Sequence, residues 1–220
     1  MIGTEGFAVR RDQMVSRQLE SRGIKDPAVL DAMRRVPREQ FVPDLVVGEA
    51  YNDSALPIDC QQTISQPYIV ALMSEAADLD GSQRVLEIGT GCGYQTAILA
   101  ELAAEVYSIE RHPQLAEQSR ERLRNLGYSN VQILDGDGTL GWPEQAPFDR
   151  ILVTAAAPRI PEPLWNQLAE GGILVIPAGG SKSQDLMAVK KDQGRQIITN
   201  LSGCRFVKLI GAAGWEETTS

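Results

Sequence analysis

The chain has 220 residues, a hydrophobic fraction of 43%, a formal net charge of −8 and an isoelectric point near 4.8. That is enough apolar material for one large domain, with room for a small appendage, and too acidic a surface to favour a nucleic-acid backbone. Three scattered cysteines, Cys60, Cys92 and Cys204, form neither a disulfide framework nor a zinc motif, and no stretch reaches the roughly 18 apolar residues of a membrane span. The opening "MIGTEGFAVRRDQ" lacks the apolar core of a signal peptide. The expectation is a monomeric cytoplasmic protein with no metal, no membrane and no nucleic acid among its partners.

In chain order, the first sixty residues read as short helices and turns. "DQMVSRQLESRG" is helical up to Gly23. "DPAVLDAMRRVP" is clearer: Asp26 caps, Pro27 takes the first helical position, and Val29, Leu30, Met33 and Val36 recur at helical spacing. Residues 43–62 are irregular. "SQPYIVALMSEAADL" reads as a helix. "RVLEIG", "EVYSIE", "VQIL", "FDRILVTAAA" and "ILVIPAG" read as strands, with "YQTAILAELA", "PQLAEQSRERLRNLG" and "PEPLWNQLAEGG" as the helices among them. That alternation predicts an α/β fold with a doubly wound, mostly parallel sheet. "QDLMAVKK", "QIITNLSG" and "CRFVKLI" follow without helices and predict an antiparallel edge. The expected parts are a helical N-terminal extension with a loop (1–64), an α/β core (65–180) and C-terminal strands (181–220).

Ligands of such sheets bind beyond the carboxyl ends of the strands, so the loop after the first strand matters most. It reads "VLEIGTGCGYQTA". A dinucleotide fingerprint needs glycines at its first, third and sixth positions, and the sixth is Tyr94 counted from Gly89 or Thr96 counted from Gly91. The pattern present is Gly89-x-Gly91-x-Gly93, preceded by Glu87. A carboxylate near the ligand suits a cation, and Glu110 stands 21 residues past Gly89, where an acid can hold a ribose diol. A nucleoside with hydroxyls and little negative charge is expected, and S-adenosylmethionine, with its sulfonium, fits. In "DGDGTLGW", Asp137 and Gly138 let the backbone approach a flat ligand while the carboxylate meets an exocyclic amine. Taken alone, that loop reads as a turn; the glycine loop before it favours the ligand reading.

"QTISQPY", "VLEIGTGCGYQTA", "GDG" followed by "GW", "APFDRILVTAAAP", "RGIKDPAVLDAMRRVPREQFVP" and "AYNDSALPI" together resemble the protein-L-isoaspartate O-methyltransferase family over nearly the whole chain. The resemblance implies a seven-stranded Rossmann-like methyltransferase fold. It implies methyl transfer from S-adenosylmethionine, leaving S-adenosylhomocysteine, to the free carboxylate of isoaspartyl residues in damaged proteins and peptides. The ester then collapses to a succinimide, and hydrolysis returns part of it to aspartate. It implies Ser65 in the active site, Gln62, Thr63 and Ile64 beside the cofactor, Gly89, Gly91 and Gly93 at its methionine end, Glu110 on the ribose, and Asp137 with Gly138 at the adenine. Two departures stand out. Asp59-Cys60-Gln61 replaces a glycine-rich stretch and predicts a stiffer loop, and Lys208 stands where a proline is expected. The glycine loop by itself is equally consistent with a methyltransferase of another acceptor or a non-catalytic cofactor-binding module; "QTISQPY" and the N-terminal block separate these.

Ser65 has no base to activate it, since His112 is the only histidine and precedes Pro113 as a surface residue. None is needed for a carboxylate acceptor, whose ordinary pKa near 4 leaves it ionised at neutral pH. Ser65 reads either as a hydrogen-bond donor that aligns the acceptor or as the cap of the helix that follows. Trp142, Trp165 and Trp215 read as packing residues, and Cys92 as a small residue of the glycine loop.

Overall fold

The computed structural model describes residues 4–180 and 183–217. The chain opens with α1 (Thr4–Met14), which widens to a π turn over Val15–Leu19, tightens to a 3-10 turn over Glu20–Arg22, and ends where Gly23 takes φ +98°. The expected helix is therefore present and begins earlier. α2 (Pro27–Arg35) starts as predicted: the Asp26 carboxylate accepts from the backbone N–H of Ala28 at 2.8 Å and Val29 at 3.4 Å. Its apolar stripe is buried against the helices α3 (Pro67–Ala76) and α4 (Tyr94–Leu102).

Between α2 and α3 the chain is largely irregular. A two-residue ladder joins β1 (Leu56–Pro57) to β2 (Thr63–Ile64), and a 3-10 turn, Asp59–Gln61, closes it. Ser65 does not cap α3. Pro67 occupies the first helical position, which puts the cap at Gln66, and no side chain caps there. A capping oxygen must lie one residue before the first helical one, and Ser65 is two before it.

The main sheet has seven strands: β3 (Arg84–Ile88), β4 (Glu105–Glu110), β5 (Val131–Asp135), β6 (Phe148–Val153), β7 (Leu168–Gly179), β8 (Gln184–Asp192) and β9 (Arg195–Cys204). Their spatial order is β5-β4-β3-β6-β7-β8-β9, parallel as far as β7 and antiparallel from β7 through β9. The expected doubly wound sheet with an antiparallel edge is thus present. Side chains alternate across it. Val85 and Val106 face the layer of α2, α3 and α4, while Leu86, Ile88 and Ile109 face the opposite core with Leu164 of α6 (Glu162–Gln167). α5 (Pro113–Asn125) connects β4 to β5.

Two segments differ from the sequence expectation. α6 stops at Gln167, and "LAEGG" opens the long strand β7, because Gly171 takes φ +77° and a Cβ on Gly172 would lie 2.8 Å from the Asp149 carbonyl oxygen. "CRFVKLI" is not a further strand. After Cys204 the chain leaves the sheet and crosses the strand ends, fixed there by Ala156 N–H donating to the Val207 carbonyl and Leu209 N–H to the Ala156 carbonyl, both at 2.8 Å. Its alternation of apolar and basic residues suits an exposed edge, but its backbone bonds go to Ala156, just past the end of β6, instead of to a sheet edge.

Candidate active site

β3 pairs with β4 on one side and β6 on the other, so the chain winds away in opposite directions from this point. A crevice opens at the carboxyl ends of the three strands, as the rule for doubly wound sheets requires. It is a cavity of about 340 Å³. Gly89, Gly91 and Glu110 form one wall, Gly138 and Thr154 another, and Gln62 and Thr63 reach in from the loop above.

The glycines differ in what they do. Gly89 takes φ +96°, and a Cβ there would lie 2.4 Å from Thr154 Oγ1, the hydroxyl that donates to the Gly89 carbonyl at 2.7 Å. Gly91 (φ +56°) sends its N–H to Glu110 Oε2 at 2.8 Å. Gly93 (φ +89°) lies outside the cavity lining, and its Cα packs against Ser119 and Leu123 of α5. It shapes the loop without facing the ligand space. Gly138 belongs to the cavity wall, where a Cβ would meet Ile88 Cγ2 at 2.4 Å.

The acids separate in the same way. Glu110 is nearly buried and lines the cavity. Its Oε1 accepts from His112 N–H at 3.0 Å, and each oxygen keeps lone pairs for further donors. Glu87 is fully buried beneath the loop and does not line the cavity. Its Oε2 lies 2.5 Å from Thr96 Oγ1 and 2.6 Å from Ser108 Oγ, and Oε1 has no partner among the described residues. Burial, with the nearby charge of Glu110 adding to it, pushes this carboxyl up to about 8. Asp137 also stands back from the cavity. Its oxygens accept from Thr139 N–H (2.9 Å), Thr139 Oγ1 (2.6 Å) and Ala212 N–H (2.7 Å), tying the C-terminal segment to this loop.

A second cavity of about 290 Å³ adjoins the first, and Thr63, Thr154 and Val207 line both. Ser65 is in its wall with Arg205 and Phe206. Ile64 is buried and does not line the 340 Å³ cavity. Among the residues to which the sequence reading gave no place at the donor, Thr154, His112 and the stretch Val207–Ile210 line the larger cavity. Thr154 had a signal, since it follows β6 at the switch point; the crossing of 207–210 over the strand ends had none. Trp142 packs edge-on to Tyr107, Lys191 sits over Trp165, and Trp215 donates to the Ala156 carbonyl at 3.0 Å. Burial raises the Cys92 thiol, so it is a packing residue in this state.

Sheet order, glycine loop, strand-end acid and paired cavities define a Rossmann-like methyltransferase. The family model for protein-L-isoaspartate(D-aspartate) O-methyltransferase matches residues 10–214. Protein-L-isoaspartate O-methyltransferase 1 of Syntrophobacter fumaroxidans is 55% identical over 210 residues, spanning 96% of this chain and 98% of that protein. The enzyme of Dictyoglomus turgidum is 57% identical over 199 residues, 90% of each chain. A solved protein-L-isoaspartate O-methyltransferase superposes with a TM-score of 0.84 at 31% identity, covering 93% of this chain and 67% of its own. A Plasmodium falciparum chain given the same name, in complex with S-adenosyl-L-homocysteine, superposes with a TM-score of 0.79 at 27% identity over 91% of this chain and 98% of that one. The chain belongs to the protein-L-isoaspartate(D-aspartate) O-methyltransferase family.

Proposed function

We propose that this protein is a repair methyltransferase that esterifies the free carboxylate of isoaspartyl residues in damaged proteins and peptides, with S-adenosylmethionine as methyl donor. The observation that carries the reading is the pair of adjoining cavities. One has a nearly buried carboxylate and glycine walls suited to a nucleoside, the other has Ser65, and Thr63 and Thr154 stand between them. The fit of the donor rests on the wall at Gly89 and Gly138, where any Cβ would collide with Thr154 or Ile88, and on the spare lone pairs of Glu110.

When bound, S-adenosylmethionine supplies a methyl group on a sulfonium, with a neutral thioether as the leaving group. Glu110 would hold the ribose hydroxyls, and the loop backbone at Gly89 and Gly91 would hold the methionine end. Ser65 Oγ donates to one oxygen of the acceptor carboxylate and leaves the other free to attack in line. Transfer to an ionised carboxylate would neutralise both charges, so no residue of the site has to take or give a proton. Alignment is then the main task, and it can supply roughly 7–11 kcal/mol of the barrier. Exclusion of water by the loop above the cavity strengthens the attraction between the two charges. Of the earlier expectations, Gly89, Gly91, Glu110, Gly138, Gln62 and Thr63 keep a place at the donor. Glu87, Gly93, Asp137 and Ile64 act behind it, through the loops they brace.

We also read the protein as a cytoplasmic monomer. No described helix is long and apolar enough to cross a membrane, and the acidic surface disfavours nucleic acid. The test is tritium transfer from labelled S-adenosylmethionine to paired peptides that differ only in isoaspartate against aspartate. Label on the isoaspartyl peptide alone is expected; equal label on both, or none while cofactor binds, would replace this acceptor with another.

A further inference from the structure

Arg38 is fully buried, and no carboxylate pairs with it among the described residues. Its Nε donates to the Ala50 carbonyl at 2.7 Å and its Nη2 to the Ser65 carbonyl at 2.7 Å. Nη1 has no partner among the described residues. The guanidinium carbon lies 4.7 Å from the centre of the Tyr94 ring, and Tyr94 is the first residue of α4, directly after the glycine loop. Burial lowers its pKa, opposed by neighbouring Tyr94.

For packing alone this is a poor choice. A buried cation without a counter-charge is costly, and an apolar side chain of similar volume fills such space more cheaply. What arginine alone offers is a rigid planar fork whose donors reach two acceptors at once. The two carbonyls are the two ends of the excursion that carries Gln62 and Thr63 over the donor cavity. Chain segments of this length with closed ends behave as compact loops. The same side chain therefore closes that loop, fixes the backbone at Ser65, and stacks on the helix that begins at the donor's glycines.

We propose that Arg38 is a positioning residue of the acceptor subsite: it clamps both ends of the Ala50–Ser65 loop against Tyr94 and so sets where the Ser65 hydroxyl stands relative to the bound donor. The inference rests on the acceptor role given to Ser65 above. It goes further in assigning the geometry of that subsite to a side chain that touches neither substrate.

The test uses Arg38→Lys and Arg38→Met, each alone and combined with Ser65→Ala. Lysine keeps the charge but cannot fork to both carbonyls, and it is the variant more certain to fold. A displacement of about 1 Å at a reacting group costs about 100-fold, so kcat on isoaspartyl peptide should fall roughly 10- to 100-fold in Arg38→Lys. The dissociation constant for S-adenosylhomocysteine should rise by much less than kcat falls, because of the donor walls only Gln62 and Thr63 belong to the clamped loop, while Gly89, Gly91, Glu110 and Gly138 do not. In the Ser65→Ala background the further loss of kcat should shrink to within about twofold, while the losses in melting temperature of the two changes add. Hydrogen exchange should quicken across residues 51–65 and not in β4. Equal loss of kcat in both backgrounds, a parallel collapse of cofactor affinity, or unchanged exchange in the loop each overturns the proposal. Exchange reads the clamp without any methyl transfer, so absence of activity on isoaspartyl peptide in the wild-type protein would count against the acceptor reading while the clamp was still decided.

Discussion

Two loops face each other across the donor cavity, and both hold backbone in the left-handed region. On the sheet side this is done by glycine, with φ of +96° at Gly89, +56° at Gly91 and +89° at Gly93. On the opposite side Cys60 and Gln61 do it with side chains in place, at +55° and +58°. Left-handed backbone is nearly free for glycine and costs roughly 1–2 kcal/mol per residue otherwise. The sheet loop is therefore at rest, and its shape is set by what a Cβ would strike. The other loop is held by an outside contact, Asp59 Oδ2 accepting from Gln118 Nε2 at 3.0 Å, and by one within the turn, the Cys60 carbonyl accepting from Gln62 Nε2 at 3.1 Å. The comparison teaches that a similar conformation is intrinsic on the donor side and imposed on the acceptor side, so the two should respond to substitution in opposite senses.

The largest effect is expected on the sheet side. Gly89→Ala places a methyl group 2.4 Å from Thr154 Oγ1 and forces an L residue to φ +96°. The backbone alone costs about 1–2 kcal/mol, and the displaced Thr154 adds to it; at tenfold per 1.4 kcal/mol, calorimetry should find cofactor binding weaker by roughly 100-fold or more. Unchanged affinity would mean that the loop has slack that its packing does not show. Glu110→Ala comes next. It removes a carboxylate that both accepts from Gly91 N–H and faces the cavity. One charge-assisted hydrogen bond is worth about 1.5–3 kcal/mol, so the dissociation constant should rise roughly 10- to 150-fold with kcat on saturating cofactor little changed. If the constant does not move in a folded variant, the ribose is held elsewhere.

Glu87 tests the rest state of the same loop through pH. Its folded pKa, about 8, lies above its ordinary 4.5, because burial disfavours the charge. The folded protein then holds this proton over a range in which the unfolded chain has lost it. Stability from this group is present in full below about pH 4.5 and is lost as pH rises toward 8, by at most about 1.4 kcal/mol per unit. Glu87→Gln has no proton to lose. Denaturant midpoints of the two proteins should therefore diverge in favour of the variant from pH 5 to pH 8, and a constant difference would mean that the carboxyl is ionised throughout.

Sequence periodicity was enough to read the core. The strands from β3 to β6 and the helices between them carry runs that water alone forces inward, and Asp26 before Pro27 caps α2 by local chemistry that needs no partner. Gly89, Gly91 and Glu110 were legible because spacing along one βαβ unit fixes their spacing in space. The failures do not share one cause. Ser65 looks like a cap until Pro67 shifts the helix start by one residue, and "CRFVKLI" looks like a strand until Val207 and Leu209 bond to Ala156 past the end of β6. The bond from Ala212 N–H to the Asp137 carboxylate, 75 positions away, was equally invisible in the sequence. The helix start is a local matter of one residue, whereas the path of 205–210 and the tie from Ala212 depend on contacts distant in sequence, which no local pattern records. The same holds for Arg38, which in "PREQF" gives no sign that it will be buried.

The smallest effect is expected at Cys60, and it has the opposite sign. Cys60→Gly removes a side chain from φ +55°, where its only polar contact is Sγ at 3.9 Å from Gln114 Oε1. Relief of left-handed strain is worth about 1–2 kcal/mol, and the greater freedom of glycine in the unfolded chain takes back roughly 0.4–1 kcal/mol of it. A net gain of about 0.5 kcal/mol should raise the melting temperature by about 1–2 °C. The kinetic consequence runs the other way from the thermal one. A glycine at this turn lets the loop leave its latch on Gln118 more readily, so S-adenosylhomocysteine should dissociate faster even though the protein melts later. A lower melting temperature with unchanged dissociation would show that the Cys60–Gln61 turn carries no strain, and the contrast between the two loops would then be one of composition only.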